Sequence, residues 1–203
     1  MTSINSETTE QKLAKYHEFF SIEHDFTINI LPLELSKATS FEQFLIDMPT
    51  PFKMASDIKS IDQSALRPLQ SISGVASQLV EFLNHQSAKI DLLIGYILSQ
   101  QDDEEHRYQG IEFGGGGLLF SSKTTFNVAQ LLELKVFLLN KNSAVYCYGE
   151  VIEVQHKDDL YIHKVIFHFI REEDREILVR NSLHEQSRQL QALAEKRNQE
   201  GKE

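Results

Sequence analysis

From Leu69 to Ile97 a mostly apolar seam advances in steps of three and four: Leu69, Ile72, Ala76, Leu79, Leu83, Gln86, Ile90, Leu93 and Ile97. That is the a/d rhythm of helices that wrap around one another. Carried through Gln101, it predicts a helix roughly 50 Å long at ~1.5 Å per residue, with more apolar face than a small barrel can cover. Val75, Val80, Phe82, Ile94 and Tyr96 widen the face, while Gln70, Ser77, Asn84 and Asp91 form the opposite, wet side. Such a helix can also pack on its own domain. The width of the face favours a bundle built from several copies, with the seam residues Leu69 to Ile97 as its oligomerisation contacts. Leu69 with Ile72 leans toward four strands and Ile90 with Leu93 toward two, and Gln86 would fix register at some cost in stability.

Either side of this stretch the period changes to two. Phe26, Ile28 and Ile30 alternate with Thr27 and Asn29 in a stretch that ends at Pro32, as a strand with one buried face does. Leu132, Leu134, Val136 and Leu138 alternate with Glu133, Lys135 and Phe137. Val145 to Val154 makes a further run, and Tyr161, His163, Val165, Phe167 and Phe169 share one face of another strand. Asn140–Ser143 and His156–Asp159 read as turns. Ser40 with Gln43 marks a capped short helix closed by Pro49 and Pro51. Pro68 either opens the long helix or kinks a continuous one. Residues 1 to about 14 are polar and read as loose. From about Glu172 to Gln199 a charged helix carries an apolar thread through Ile177, Leu183, Leu190 and Leu193. The pattern predicts an α+β fold, an antiparallel meander that must close or be covered to hide its edges. The early strand would complete the barrel and leave the helical region as an insertion. The chain, 1–203, then reads as a single domain: a first barrel segment at 16–33, the helical insertion at 38–103, the remaining strands at 107–170 and the C-terminal helix at 172–199.

A hydrophobic content of 41% supports a real core, and a net charge of −10 argues against duplex DNA and anionic membranes as partners. Lys and Arg lie scattered among carboxylates, as in Arg171-Glu172-Glu173-Asp174-Arg175. No apolar run approaches the ~20 residues that cross a bilayer, and the N-terminus lacks the basic-then-apolar order of a signal peptide. A cytoplasmic protein, with no nucleic acid bound and no membrane insertion, is the expectation. The single cysteine, Cys147, excludes an internal disulfide and a four-thiolate metal site, and reads as a small buried group.

Little else specifies chemistry. Gly114-Gly115-Gly116-Gly117 lacks the Lys and Ser/Thr of a phosphate loop and is followed by the strand-like Leu118-Leu119-Phe120. It reads as a sharp strand reversal, with Gly117 expected at positive φ. His163 and His168 are five apart on a strand and face opposite sides. Asp102-Asp103-Glu104-Glu105 has no calcium-loop spacing and reads as a solvated helix end. No metal site, no cofactor and no enzyme active site is expected.

The stretch Gly110-Ile111-Glu112-Phe113-Gly114-Gly115-Gly116-Gly117-Leu118-Leu119-Phe120 resembles the signature turn of PilZ domains, receptors for cyclic di-GMP. The resemblance covers 107 to about 188, with 16–33 similar to the family's opening segment. The heptad-bearing insertion between them is similar to the atypical, tetramer-forming PilZ subgroup. This implies a PilZ-like six-stranded antiparallel β-barrel carrying a long inserted helix and a C-terminal helix, assembled as a homotetramer. The family grips its ligand with R-x-x-x-R followed by D/N-x-S-x-x-G. Here the arginine positions fall around Tyr16 or His17 and Phe20 or Ser21, and no arginine is present. Glu112 takes the Asp/Asn position, Gly114 the Ser position, and Gly117 alone matches. Arginine forks hold phosphates by charge-assisted bidentate bonds, which these residues cannot make. The resemblance therefore implies a scaffold or adaptor in cyclic di-GMP-linked signalling that has lost the usual site and works with a signalling protein not identifiable from sequence. The alternative is a cyclic di-GMP receptor with a rearranged site at Arg107, Glu112, Gly114 and Gly117, joined by Lys123.

Overall fold

The computed structural model describes residues 8–34, 38, 40–55, 57–58, 75–138 and 143–200. Six antiparallel strands close into one barrel in the order β1-β2-β3-β6-β5-β4. They are β1 Ser21–Pro32, β2 Arg107–Gly114, β3 Gly117–Ser122, β4 Leu131–Leu138, β5 Ser143–Lys157 and β6 Leu160–Phe169. The early strand does complete the barrel. β1 pairs with β2 on one side, Ile28 opposite Tyr108, and with β4 on the other, Ile28 opposite Val136. Closure removes the free edges that a meander would otherwise expose.

The period-two residues fill the interior. Ile28, Ile30, Leu132, Leu134, Val136, Val145, Cys147 and Val165 are buried in one cluster, with Phe113, Phe120 and Leu178 closing it. Burial of this kind pushes the Cys147 thiol pKa up, as expected of an inert, packed cysteine. Phe169 departs from the expected pattern. The ladder pairs Tyr148 with Phe169 and Gly149 with Phe167, so His168 is an extra residue. That bulge turns Phe169 to the outer face, where it packs against Phe44 and Tyr148.

The outer face of β4 and β5 carries a second core. α2, Phe41–Asp47, is capped by Ser40, whose hydroxyl accepts from the Gln43 amide as the sequence predicts. Phe44, Met48, Phe52, Ile94 and Leu98 from the insertion bury Phe137, Tyr146 and Tyr148. Strand β5 is thus apolar on both faces, which explains the unbroken run from Val145. The long helix, α3, spans Val75–Ser99, and α4 spans Glu172–Glu200. Arg171, at the foot of α4, bonds Asp174 at 2.7 Å and donates to the Phe52 carbonyl at 3.0 Å, joining helix, barrel and insertion. Among the described residues no helix is long and apolar enough to cross a membrane.

Two expectations fail here. The polarity of residues before about Ala14 predicts a loose segment, yet Thr9–His17 forms a helix, α1, opened by a full capping box between Thr8 and Gln11. A sharp reversal at the glycine quartet predicts positive φ at Gly117, but none of the four lies between +20° and +160°. The described non-glycine residues at positive φ are Ala129 and Asp158, the latter in the two-residue turn between β5 and β6. The quartet is glycine because the chain is crowded there. A Cβ on Gly116 would stand 2.5 Å from the Tyr16 carbonyl oxygen, one on Gly115 2.6 Å from the Phe19 ring, and one on Gly117 would overlap the Val165 carbonyl.

His163 lies fully buried at the other end of the barrel, stacked on Phe120 at 4.7 Å, its Nε2 accepting from the Phe126 amide at 3.0 Å. Burial holds its pKa below the ordinary histidine value. The native state therefore refuses a proton that the unfolded chain accepts. Stability is intact above about pH 6.5 and falls as pH drops below it, by at most about 1.4 kcal/mol per pH unit. Urea midpoints measured from pH 7.5 to 5.5 should fall more steeply for the parent than for His163→Gln. Parallel slopes would remove His163 from the acid sensitivity.

Candidate functional site

Two regions take up the residues that the sequence singled out. The first is α3. It touches the barrel through Ile94, 7% exposed, and Leu98, 2% exposed. A different face carries Leu79 at 60%, Phe82, Ile90, Leu93 at 65%, Tyr96 and Ile97, all open to solvent, with Leu83 and Gln86 half-buried. At 3.6 residues per turn the seam positions from Leu79 to Ile97 share one stripe, about a quarter-turn from the anchoring pair. The barrel thus holds the helix without covering its seam. Leu69 and Ile72 lie outside the described residues, as does the Ala76 side chain.

The second region is the rim where α1, β1, β2 and β3 meet. Tyr16 lies in the last turn of α1, Ser21 opens β1, and Glu112 and Gly114 lie at the end of β2, so the fold does bring together the positions that the PilZ motifs would occupy. The groups there bond to one another. The Tyr16 hydroxyl donates to Glu112 Oε1 at 3.0 Å, and the Ser21 hydroxyl donates to the same oxygen at 2.7 Å. Burial, then the charge of Glu112, push the Tyr16 pKa far up, so the phenol remains a proton donor. Lys164 Nζ stands 5.6 Å from the Tyr16 ring centroid and 2.9 Å from Glu153, and Lys12 pairs with Glu150 at 2.5 Å. Arg175 of α4 lies 5.2 Å over the Phe19 ring and donates to the Gly115 carbonyl. The carboxylates and carbonyls of the chain itself take up these donors. Glu112 places a carboxylate at this rim.

Arg107 does not join this rim. It begins β2, whereas Gly114 ends it, roughly 20 Å away at ~3.3 Å per residue. Its guanidinium pairs with Asp102 at 2.7 Å and Glu104 at 3.6 Å. Asn29, 1% exposed, donates to Asp102 at 2.8 Å and accepts from the Asp103 amide at 2.8 Å. Arg107 and the acidic run therefore lock the exit of α3 to β1 and β2. Lys123 follows the end of β3, at the Arg107 end of the barrel, because Ser121 pairs with Gln109. The four proposed ligand residues are not one constellation. No group of His, Cys, Asp or Glu that could hold a metal occurs among the described residues.

No family model matches the sequence, and no curated protein matches it. The structure is similar to that of a pathogenic protein from Xanthomonas campestris, described as a tetrameric PilZ domain self-assembled via an unusual helical bundle. The likeness has a TM-score of 0.55 at 14% identity and covers 88% of this chain and 96% of that one. The Bacillus subtilis inhibitor of motility, MotI/DgrA, overlaps 40% of this chain and 42% of its own at 14% identity, with a TM-score of 0.38, too low to bear on the fold. The chain has the PilZ-type fold: a closed six-stranded antiparallel barrel with helices.

Proposed function

We propose that this chain is a non-enzymatic, cytoplasmic scaffold or adaptor in cyclic di-GMP-linked bacterial signalling, assembled as a tetramer through α3 and acting on a signalling protein. The observation that carries the reading is the open apolar stripe of α3 from Leu79 to Ile97, held clear of the barrel by Ile94 and Leu98. Burying one leucine or phenylalanine side chain is worth about 1.5–3 kcal/mol, so a stripe of this width is costly to leave in water and favours a bundle. The Xanthomonas campestris protein, with the same fold, is described as assembling by a helical bundle. Loss of the usual nucleotide site is supported by Glu112, a carboxylate that takes the Tyr16 and Ser21 hydroxyls at the rim where phosphate would have to sit.

Two measurements test this together. Light scattering at micromolar concentration should give four times the 23.4 kDa chain. Calorimetric titration with cyclic di-GMP should give a Kd no tighter than about 0.1 mM, or about −5.5 kcal/mol. A monomer would overturn the scaffold. A low-micromolar Kd would make the chain a receptor that uses a rearranged site.

A further inference from the structure

A half-open cleft of about 260 Å³ lies between α4 and the barrel, lined by His24, Asp25, Gln109, Phe113, Asn181 and Glu185 among others. It shares no residue with the Tyr16–Ser21–Glu112 rim. Strand β1 builds one wall through a bulge. Glu23 pairs with Glu112 and Phe26 with Gly110, so His24 and Asp25 together oppose the single residue Ile111. In a regular strand neighbouring side chains point to opposite faces. The bulge lets His24 and Asp25 line the same cleft, the re-aiming for which bulges recur beside binding sites. Gly110 makes room for this wall, since a Cβ there would run into the Phe26 ring. Phe26 and Phe113 meet edge to face at 5.4 Å and supply apolar surface.

The polar side of the cleft is acidic and under-satisfied. The Glu185 side chain is 6% exposed, and its Oε2 lies 3.0 Å from Arg188 Nε and 3.9 Å from His24 Nδ1. Despite that proximity Oε2 accepts no aligned hydrogen bond among the described residues. A buried carboxylate oxygen without an aligned donor is costly, and a ligand N–H that reaches it recovers that cost. Asp25 adds a second carboxylate to the lining, so that with Arg188 offsetting Glu185 the cleft keeps the negative charge of Asp25, and the chain as a whole stands at −10. Such a field draws cations and repels phosphates. The volume falls below the ~300–1,000 Å³ of pockets for drug-sized ligands, which suits a small ligand.

We propose that this cleft binds a small planar organic cation whose N–H groups reach the Glu185 carboxylate and whose apolar body lies against Phe26 and Phe113. An amidinium or guanidinium offers the paired N–H donors that suit a carboxylate. The site is independent of self-assembly through α3 and of any cyclic di-GMP binding.

Benzamidinium chloride is the probe, titrated into the full chain by calorimetry and by NMR. A saturable Kd of about 1 mM or tighter is expected, with shifts at the His24 ring and the Asn181 side-chain amide. Sodium benzoate at equal ionic strength should not bind. Glu185→Gln should weaken benzamidinium at least tenfold. Gln109→Trp, placed at an exposed lining position, should block the cleft and abolish binding with the fold retained, and it decides the matter if Glu185→Gln does not fold. Benzoate binding as well as benzamidinium would overturn the proposal. So would unchanged affinity in Gln109→Trp, shifts confined to another surface, or no saturation up to about 10 mM.

Discussion

The double variant Leu79→Asp/Leu83→Asp is expected to be a folded monomer, in contrast to the tetramer proposed for the parent. Leu79 is 60% exposed within one chain and Leu83 half-buried, so a lone chain loses little when both become carboxylates. Inside a helical bundle the same two positions face their equivalents. Each assembly then forfeits about 1.5–3 kcal/mol of apolar burial per leucine, and must also desolvate carboxylates that have no partner. The anchoring pair, Ile94 and Leu98, sits on another face of α3, and so the helix stays docked on β5. Light scattering should report one chain, with the barrel's circular dichroism unchanged. Ile94→Asp should behave in the opposite way, damaging the second core around Phe44, Phe52 and Tyr146. A Leu79→Asp/Leu83→Asp protein that remains tetrameric would show that another surface holds the copies together.

The sequence made the barrel legible wherever alternation was clean. Leu132, Leu134, Val136 and Leu138 fill the interior, and Phe137, out of phase with them, found a second core that the pattern had no means to name. Phe169 misled because one extra residue, His168, inverts the parity of β6, and a bulge leaves no mark in a hydropathy pattern. α1 was hidden by its polarity, although Thr8-x-x-Gln11 was a readable capping box. The α3 stripe was legible because helical phase is fixed by spacing alone. Arg107 looked like a spare cation for a phosphate, but its charge is spent on Asp102, five residues away in sequence. Motif alignment placed Tyr16, Ser21 and Glu112 at equivalent positions without showing that they would bond to one another. His24, Asp25 and Glu185 carry no sequence signal as a group, since a bulge and a helix residue far along the chain bring them to one cleft.

Gly117→Val should prevent the barrel from closing normally, and the reason distinguishes two roles for glycine. Were Gly117 needed for a left-handed backbone, Asn would be tolerated there and Ala would cost little more than strain. Gly117 instead pairs with Ile166 across the β3–β6 ladder, and the neighbouring pair is Leu118 with Val165. A Cβ at this point overlaps the Val165 carbonyl oxygen and stands 2.7 Å from two carbons of the Tyr16 ring. The ring can swing aside, at the loss of its bond to Glu112. The carbonyl is backbone within the ladder and cannot move unless β3 and β6 part. Ala, Asn and Val should therefore all destabilise, because the first carbon makes the clash. Overpacking of this kind costs about 3 kcal/mol at its upper end. For a chain of this length that lowers Tm by roughly 6–12 °C. Thermal melts of the three variants should lie close together and well below the parent. Gly117→Asn melting with the parent while Gly117→Val falls would restore the left-handed reading. A parent-like Gly117→Ala would show that β3 and β6 have slack at this point that the ladder does not reveal.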